Sequence, residues 1–303
     1  MSWGTASKVR KIVQDHLTTT PDRTVAVLGS GVMGLTTATE LLRLGVLVKV
    51  YAESFWSGTT SAVAGGQWAA SKVNYSDKTE FKEILKVSYE TFKASIGQGF
   101  GVSERPNYTP VRAPNLETIL RLLPGLLPPR QSVSRLPFEH HTKPGFVYQT
   151  LLVEPPVFLQ RLDDDLRANG VQFCQRTFSR IDDVLALPED IIVNCTGMGA
   201  RKLWGDKSLK PIKGQLALLP PQVGLDYLYS QNGYIFPRAD AVVIGGSFET
   251  TFSSPDPDPV CCNELVDYIK GQFGKGPEIP LPDCHIHHPT KLRLLASEHV
   301  VGS

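Results

Sequence analysis

Residues 24–28 (TVAVL) are apolar without alternation, the pattern of a strand buried on both faces of a parallel sheet. Glycines follow at once, and apolar Leu35, Ala38, Leu41 and Leu42 then recur at three- and four-residue steps. That spacing predicts a helix over 35–44, stopped by Gly45. Residues 46–51 read as a second strand, which completes a βαβ unit. Downstream, Phe81, Ile84, Leu85, Val87, Tyr89 and Phe92 give one apolar side to a helix over 77–95. Residues 155–169 read as another helix, opened by proline. Strands are predicted at 171–176 and at 190–195 (DIIVNC). The stretch 210–248 is β-rich, with Arg238-Ala239-Asp240 as a hairpin turn. Between the clear elements, 57–66 is a Gly- and Thr-rich loop, and 101–145 is proline- and turn-rich. The latter reads as irregular structure and short strands of a second domain. Residues 7–17 form a short basic amphipathic helix, read as a surface helix or tail.

The fold class that follows is α/β with a Rossmann-like nucleotide domain; the family resemblance given below implies an interleaved α+β substrate domain on a large mixed or antiparallel sheet. The expected division is 1–22 as tail or helix, 23–75 and 148–205 as nucleotide domain, 76–147 and 206–295 as substrate domain, and 296–303 as the start of a further segment. A chain of 303 residues with 41 % apolar and 20 % charged residues can bury a sizeable core. A net charge of +1 gives no field that points to nucleic acid or an anionic membrane. No apolar run is long enough to span a bilayer, and the N-terminus lacks the apolar centre of a secretory signal. Five cysteines without regular spacing argue for a reducing compartment rather than a disulfide framework. Cys284, His285, His287 and His288 cluster, but no CxxC pair or HExxH helix accompanies them, and no metal is expected.

The first unit carries chemistry. Gly29-Ser30-Gly31-Val32-Met33-Gly34 fits GxGxxG between the strand and the helix. Gly29 permits the tight turn, Gly31 lets the backbone approach a pyrophosphate, and Gly34 lets helix and strand pack closely. The helix N-terminus offers free N–H groups and partial positive charge. Glu53 ends the second strand, where an acid binds ribose hydroxyls. The motif predicts a dinucleotide but does not by itself separate NAD from FAD.

Three further patches do. Val50-Tyr51-Ala52-Glu53 with Thr59-Thr60-Ser61-Ala62-Val63-Ala64-Gly65-Gly66-Gln67-Trp68 is the first. Val193 to Ala200, continuing to Pro211-Ile212-Lys213-Gly214-Gln215, is the second. Gly233-Tyr234-Ile235-Phe236-Pro237-Arg238, continuing to Val243-Ile244-Gly245-Gly246-Ser247-Phe248-Glu249, is the third. In order and spacing they resemble the D-amino acid and D-aspartate oxidases from about residue 24 to the end. The resemblance implies non-covalent FAD. Glu53 would hold the adenosine ribose, and Thr59, Thr60 and Ser61 would lie at the pyrophosphate. Gly66 and Gln67 would lie beside the isoalloxazine, and Gly65, Thr196 and Gly197 would also contact the cofactor. Trp68 is read as core rather than as a stacking platform.

The reaction so implied is oxidation of a D-amino acid: hydride passes from Cα to flavin N5, O2 takes the electrons to give peroxide, and the imino acid hydrolyses to a keto acid and ammonia. Tyr234 matches the carboxylate-binding tyrosine, and Tyr229 is the counterpart of a lid tyrosine, with one extra residue in the interval. Lys213 stands where the family commonly has arginine. In the family's pattern a carboxylate-binding arginine follows a stretch like 296–302 in GxRP, whereas this chain stops at Ser303. Neither Arg238 nor Arg293 is justified as its substitute. The expectation is a family sequence truncated at its end, with little activity by itself. The expected partners are a D-amino acid and O2, with a homodimer left open and a peroxisomal or cytoplasmic site. A glycine- or sarcosine-oxidase relative, an NAD-dependent dehydrogenase and a non-catalytic fragment are the alternatives. The dehydrogenase leaves the Thr-rich loop without a role.

Overall fold

The computed structural model describes residues 1–71, 73–138, 143–250 and 256–273. The chain opens with α1 (Ser2–Leu17), followed by β1 (Thr24–Leu28), α2 (Val32–Leu42) and β2 (Leu47–Ala52). β1 lies inside a four-stranded parallel sheet of order β6-β2-β1-β7, where β6 is Gln172–Gln175 and β7 is Ile191–Asn194. Val25, Ala26, Val27 and Leu28 are fully buried, because helices cover both faces of such a sheet. All four strands point their C-terminal ends to one edge, and the loops after β1, β2 and β7 meet there.

The second sheet has seven strands in the order β4-β5-β3-β9-β10-β11-β8. They are β3 (Val102–Thr109), β4 (Gln131–Val133), β5 (Gly145–Val153), β8 (Leu216–Leu219), β9 (Leu228–Ser230), β10 (Tyr234–Pro237) and β11 (Val242–Gly245). Every pair is antiparallel except β3 with β9, so the sheet is mixed. Helices α3 (Lys78–Ala94), α4 (Pro114–Leu122), α5 (Pro155–Ala168), α6 (Ile181–Leu185), α7 (Gly199–Leu203) and α8 (Pro259–Phe273) fill the connections. The chain builds half of each sheet before returning to complete it, which is the expected interleaving. Asp77 caps α3 by accepting from the N–H groups of Thr79 and Glu80. The turn at 238–241 is closed by the Arg238 N–H donating to the Ala241 carbonyl at 2.8 Å.

Three expectations are corrected. First, the N-terminal segment is no loose tail. In α1, Trp3, Ala6 and Val13 are buried, and Trp3 meets Phe92 and Phe158 edge-on. Arg10 reaches the buried Glu40 carboxylate of α2 at 2.9 Å. Gly4 makes the approach to α3 feasible, since a Cβ there would stand 2.1 Å from the Ile84 carbonyl oxygen. Second, 101–145 holds an eight-residue strand and a helix rather than short irregular pieces. Third, the boundary drawn at 148 falls inside β5, all of which belongs to the seven-stranded sheet. Residues Cys284, His285, His287, His288 and Arg293, and the segment 296–303, lie outside the described residues.

Candidate flavin and substrate site

The phosphate loop has the geometry its glycines predict. Gly29 takes φ +109°, and a Cβ there would stand 2.4 Å from the Cys195 carbonyl oxygen, so the loops after β1 and β7 touch. A Cβ at Gly34 would meet the Gly29 carbonyl oxygen at 1.9 Å, which only glycine avoids. Gly31 is the N-cap of α2 and provides no side-chain cap, so the first-turn N–H groups find no partner within the helix. The Val32 N–H donates to the Ser61 hydroxyl at 3.0 Å. A Cβ at Gly31 would come within 3.0 Å of that hydroxyl. Ser61 thus already presents a polar atom where the loop expects phosphate oxygen.

The neighbouring loops converge on the same edge. Ser30, buried, donates to the Ser54 carbonyl at 2.8 Å and ties the phosphate loop to the end of β2. Glu53 there is exposed, and its backbone carbonyl accepts from Gln175 Nε2 at 3.1 Å. Thr59 donates its hydroxyl to the Trp56 carbonyl at 2.7 Å, and Thr60 opens the 3-10 turn that carries Ser61. After β7, the Thr196 hydroxyl donates to Asn194 Oδ1 at 2.7 Å, and exposed Gly197 turns with φ +54°. Cys195 between them is an inert thiol, pushed up to about 11 by burial.

From this edge, Gly65 to Trp68 runs alongside β5. The Val153 N–H donates to the Gly66 carbonyl and the Trp68 N–H to the Leu151 carbonyl, each at 2.8 Å. Gly66 has φ +101°, and a Cβ there would lie 2.1 Å from the Val153 carbonyl oxygen. Gln67 Nε2 is buried without a hydrogen-bond partner. An orphan buried donor is costly in a finished core and marks a place where a polar ligand atom belongs. Trp68 is core, packed against Tyr89 at 5.0 Å.

Tyr234 closes the site from the sheet side. Its ring stacks on Phe236 at 4.2 Å. It lies between two glycines: a Cβ at Gly65 would come within 3.2 Å of the ring, and one at Gly245 within 2.4 Å of the hydroxyl. Burial pushes the phenol up to about 12, so it is a neutral donor at ordinary pH. Tyr229 is not brought to the same place. It pairs with Ile235, one residue out of step with Tyr234, and successive strand residues face opposite sides. It is fully buried with Leu136, Phe138 and Ile269, and its hydroxyl donates to Gln231 at 2.9 Å. Its assignment as a lid residue is therefore corrected to core.

Two residues outside the expected set shape the site. The Arg238 guanidinium forks onto Asp240 at 2.8 and 2.7 Å and donates to the Ala64 carbonyl at 3.1 Å, with only 2 % of the side chain exposed. It is fully committed and fixes the backbone next to Gly65. On the far side, the Ala239 N–H donates to Glu154 Oε2 at 2.5 Å, next to Val153. The Arg-Ala-Asp spacing in the hairpin signals the fork; its reach to Ala64 is tertiary and has no local signal. Lys213 is buried, backbone-paired with Glu249 and 3.8 Å from its carboxylate. Among the described residues no group of His, Cys, Asp and Glu is arranged to hold a metal.

The glycine cradle, the open helix N-terminus and the orphan Gln67 donor fit a flavin dinucleotide. Comparison with known proteins agrees. The family profile "FAD dependent oxidoreductase" (DAO) matches residues 24–288. A D-amino-acid oxidase of Rubrobacter xylanophilus is 31% identical over 252 residues, covering 79% of this chain and 74% of that protein. One of Streptomyces coelicolor is 26% identical over 264 residues, covering 81% of this chain and 76% of that protein. Among solved structures, glycine oxidase of Bacillus cereus superposes with a TM-score of 0.62 at 15% identity, covering 82% of this chain and 77% of that one, a likeness of fold. With a phosphate loop whose Gly29 and Gly34 leave no room for a Cβ, a chain matched by the family profile over most of its length is a member of the DAO family of FAD-dependent oxidoreductases.

Proposed function

We propose that the chain oxidises D-amino acids to imino acids, which water converts to 2-keto acids and ammonia, while O2 becomes hydrogen peroxide. The observation that carries this reading is Tyr234, held between Gly65 and Gly245 where the cofactor segment meets the large sheet. A neutral phenol at that junction donates to a substrate carboxylate and sets the direction of Cα. Gly65 lets the rings of Phe236 and Tyr234 come close to the segment, and Gly66 lets it pass tightly against β5. The chemistry that bound FAD supplies is acceptance of two electrons from the substrate and their passage to O2. The substrate loses its Cα hydrogen and one N–H proton with that pair; water then displaces the nitrogen. No side chain needs to act as a strong base, since the amine need only be neutral. The two D-amino-acid oxidases among the relatives support this choice of substrate.

A second reading, oxidation of glycine or sarcosine, draws on the fold likeness to glycine oxidase. Peroxide release by the FAD-loaded chain separates the two when D-alanine, D-aspartate, L-alanine, glycine and sarcosine are compared. Turnover of the D-amino acids with none of L-alanine is expected. Peroxide from glycine or sarcosine alone would replace this proposal with the second reading, and a loaded chain silent with all five would end both.

A further inference from the structure

Strand β3 carries a row of unanswered polar groups. Ser103, Arg105 and Asn107 alternate along it, so they share one face of the sheet, and Glu104 lies on the other. The Ser103 hydroxyl, Arg105 Nε and Asn107 Nδ2 are buried, and none has a hydrogen-bond partner among the described residues. Their face is the one that carries Tyr234. Asn107 pairs with Leu228 of β9, which clusters with Leu152, Phe236 and Tyr234. Asn107 Oδ1 accepts from the Ser230 hydroxyl at 3.1 Å, and Ser230 is the strand partner of Tyr234. At the other end, Ser103 pairs with Leu152, and Leu152 pairs with Gln67, whose Nε2 is a fourth orphan donor. A polar belt thus crosses the sheet from Tyr234 through Ser230 and β3 to Gln67, the two ends being residues of the site itself.

A buried donor left unanswered costs about 1–3 kcal/mol, so four in one belt mark a surface made for acceptor atoms. Ser103 to Asn107 spans about 13 Å, too long for a small amino acid and of the scale of a fused three-ring system. Arg105 brings the one full charge in the belt. The other two cations near the site are taken, Arg238 by Asp240 and Lys213 by Glu249. We propose that this belt receives the polar edge of the flavin ring, and that Arg105 holds the negative charge the ring gains on reduction. The proposal rests on the FAD assignment and not on which substrate is oxidised. Two electrons and one proton leave the reduced ring with one negative charge; two electrons and two protons leave it neutral. A fixed cation in a site shielded from water favours the first outcome. By linkage, a residue that holds the reduced form tenfold more tightly than the oxidised form raises the two-electron potential by about 30 mV.

The test is a spectroelectrochemical titration of the FAD-loaded full chain, without amino acid, from about pH 6 to 8. In the unaltered chain the potential should fall about 30 mV per pH unit, the slope of one proton for two electrons. A slope of about 59 mV, two protons for two electrons, means a neutral reduced ring and overturns the proposal. Arg105→Gln should lower the potential by about 30 mV, a tenfold loss of preference for the reduced form, and steepen the slope. Arg105→Lys should recover most of the potential as a point charge. A loaded Arg105→Gln chain with an unmoved potential overturns the assignment. Ser103→Ala checks the belt apart from the charge: it removes an orphan hydroxyl, so stability in denaturant should hold or rise while FAD binds about fivefold more weakly. Unchanged FAD affinity there takes the belt away from the flavin. Oxidation of D-amino acids by a chain whose potential ignores Arg105 sinks this proposal alone. A potential that depends on Arg105, in a chain silent with every amino acid, keeps it and removes the oxidase reading.

Discussion

At Gly31 a side chain has two costs at once: contact with the Ser61 hydroxyl, and a block to the backbone's approach to pyrophosphate. Gly31→Val is therefore expected to abolish flavin binding while helix content survives, read by visible absorbance and far-UV circular dichroism. A variant that purifies yellow at full occupancy would move the cofactor elsewhere. Gly34→Ala differs, because its Cβ meets backbone at 1.9 Å. It should destabilise the fold itself by about 3 kcal/mol in denaturant titration. Tyr234→Phe keeps the stacking on Phe236 and removes only the hydroxyl. A hydrogen bond to a charged group is worth about 1.5–3 kcal/mol, so kcat/KM should fall roughly 10- to 100-fold with little change in stability. Alkaline pH provides a separate check. Tyr148 and Tyr234 are each pushed up to about 12, chiefly by burial, and Tyr229 is raised by the same cause. The folded chain keeps these protons longer than the unfolded chain, so stability is full below about pH 10 and is lost as pH rises through the folded values. An unfolding free energy flat from pH 9 to roughly 12 would contradict this burial.

At the scale of elements, the strands of the parallel sheet and the helices α2, α3 and α5 are legible in the sequence. The apolar run of β1 and the three- and four-residue steps of the helices have few other solutions. β3 is not, because VSERPNYT mixes polar residues with Pro106. Only Asn107 and Tyr108 of this strand pair with β9, so Pro106 sits where β5 is the sole strand partner, and a missing N–H is tolerated. α4 had a readable signal in Pro114 followed by Leu116, Ile119 and Leu122 on one face. Tyr229 shows the limit of family matching: one residue of register moves a side chain to the other face of a sheet. The role of α1 is hidden because its anchors, Trp3, Gly4 and Ala6, look like any weak helix until Ile84 comes near. Removing residues 1–20 should cost about 4 kcal/mol, from the exposure of apolar partners and the loss of the Arg10 contact to Glu40. A chain without them that unfolds at the same denaturant midpoint would return α1 to the status of a tail. Arg238→Ala releases the hairpin from Ala64 and leaves Asp240 half exposed, so the stability loss should be about 2 kcal/mol. Flavin affinity should drop about tenfold with it, and Arg238→Lys should recover only part, lacking the fork.

At the scale of the molecule, two sheets are built from alternating stretches of one chain, and the segment Gly66 to Trp68, reached after β2 of the first, pairs with β5 of the second. The first sheet provides the nucleotide loops and the second provides Tyr234. The phosphate loop, Glu53 and the Thr-Gly turn were readable because each follows a strand at a fixed offset. The junction was not, since it depends on which glycine meets which ring. The claim that unites these features is that an amino acid and a flavin meet at this junction, with the substrate held in one hand. Anaerobic mixing of the FAD-loaded chain with D- and L-enantiomers of one amino acid tests it most directly, with the visible flavin band as readout. The expected result is rapid bleaching by the D-enantiomer alone, with colour and peroxide returning together on admission of O2. A fully loaded chain whose band stays unchanged with D-alanine and D-aspartate, or bleaches equally with both hands, would contradict it.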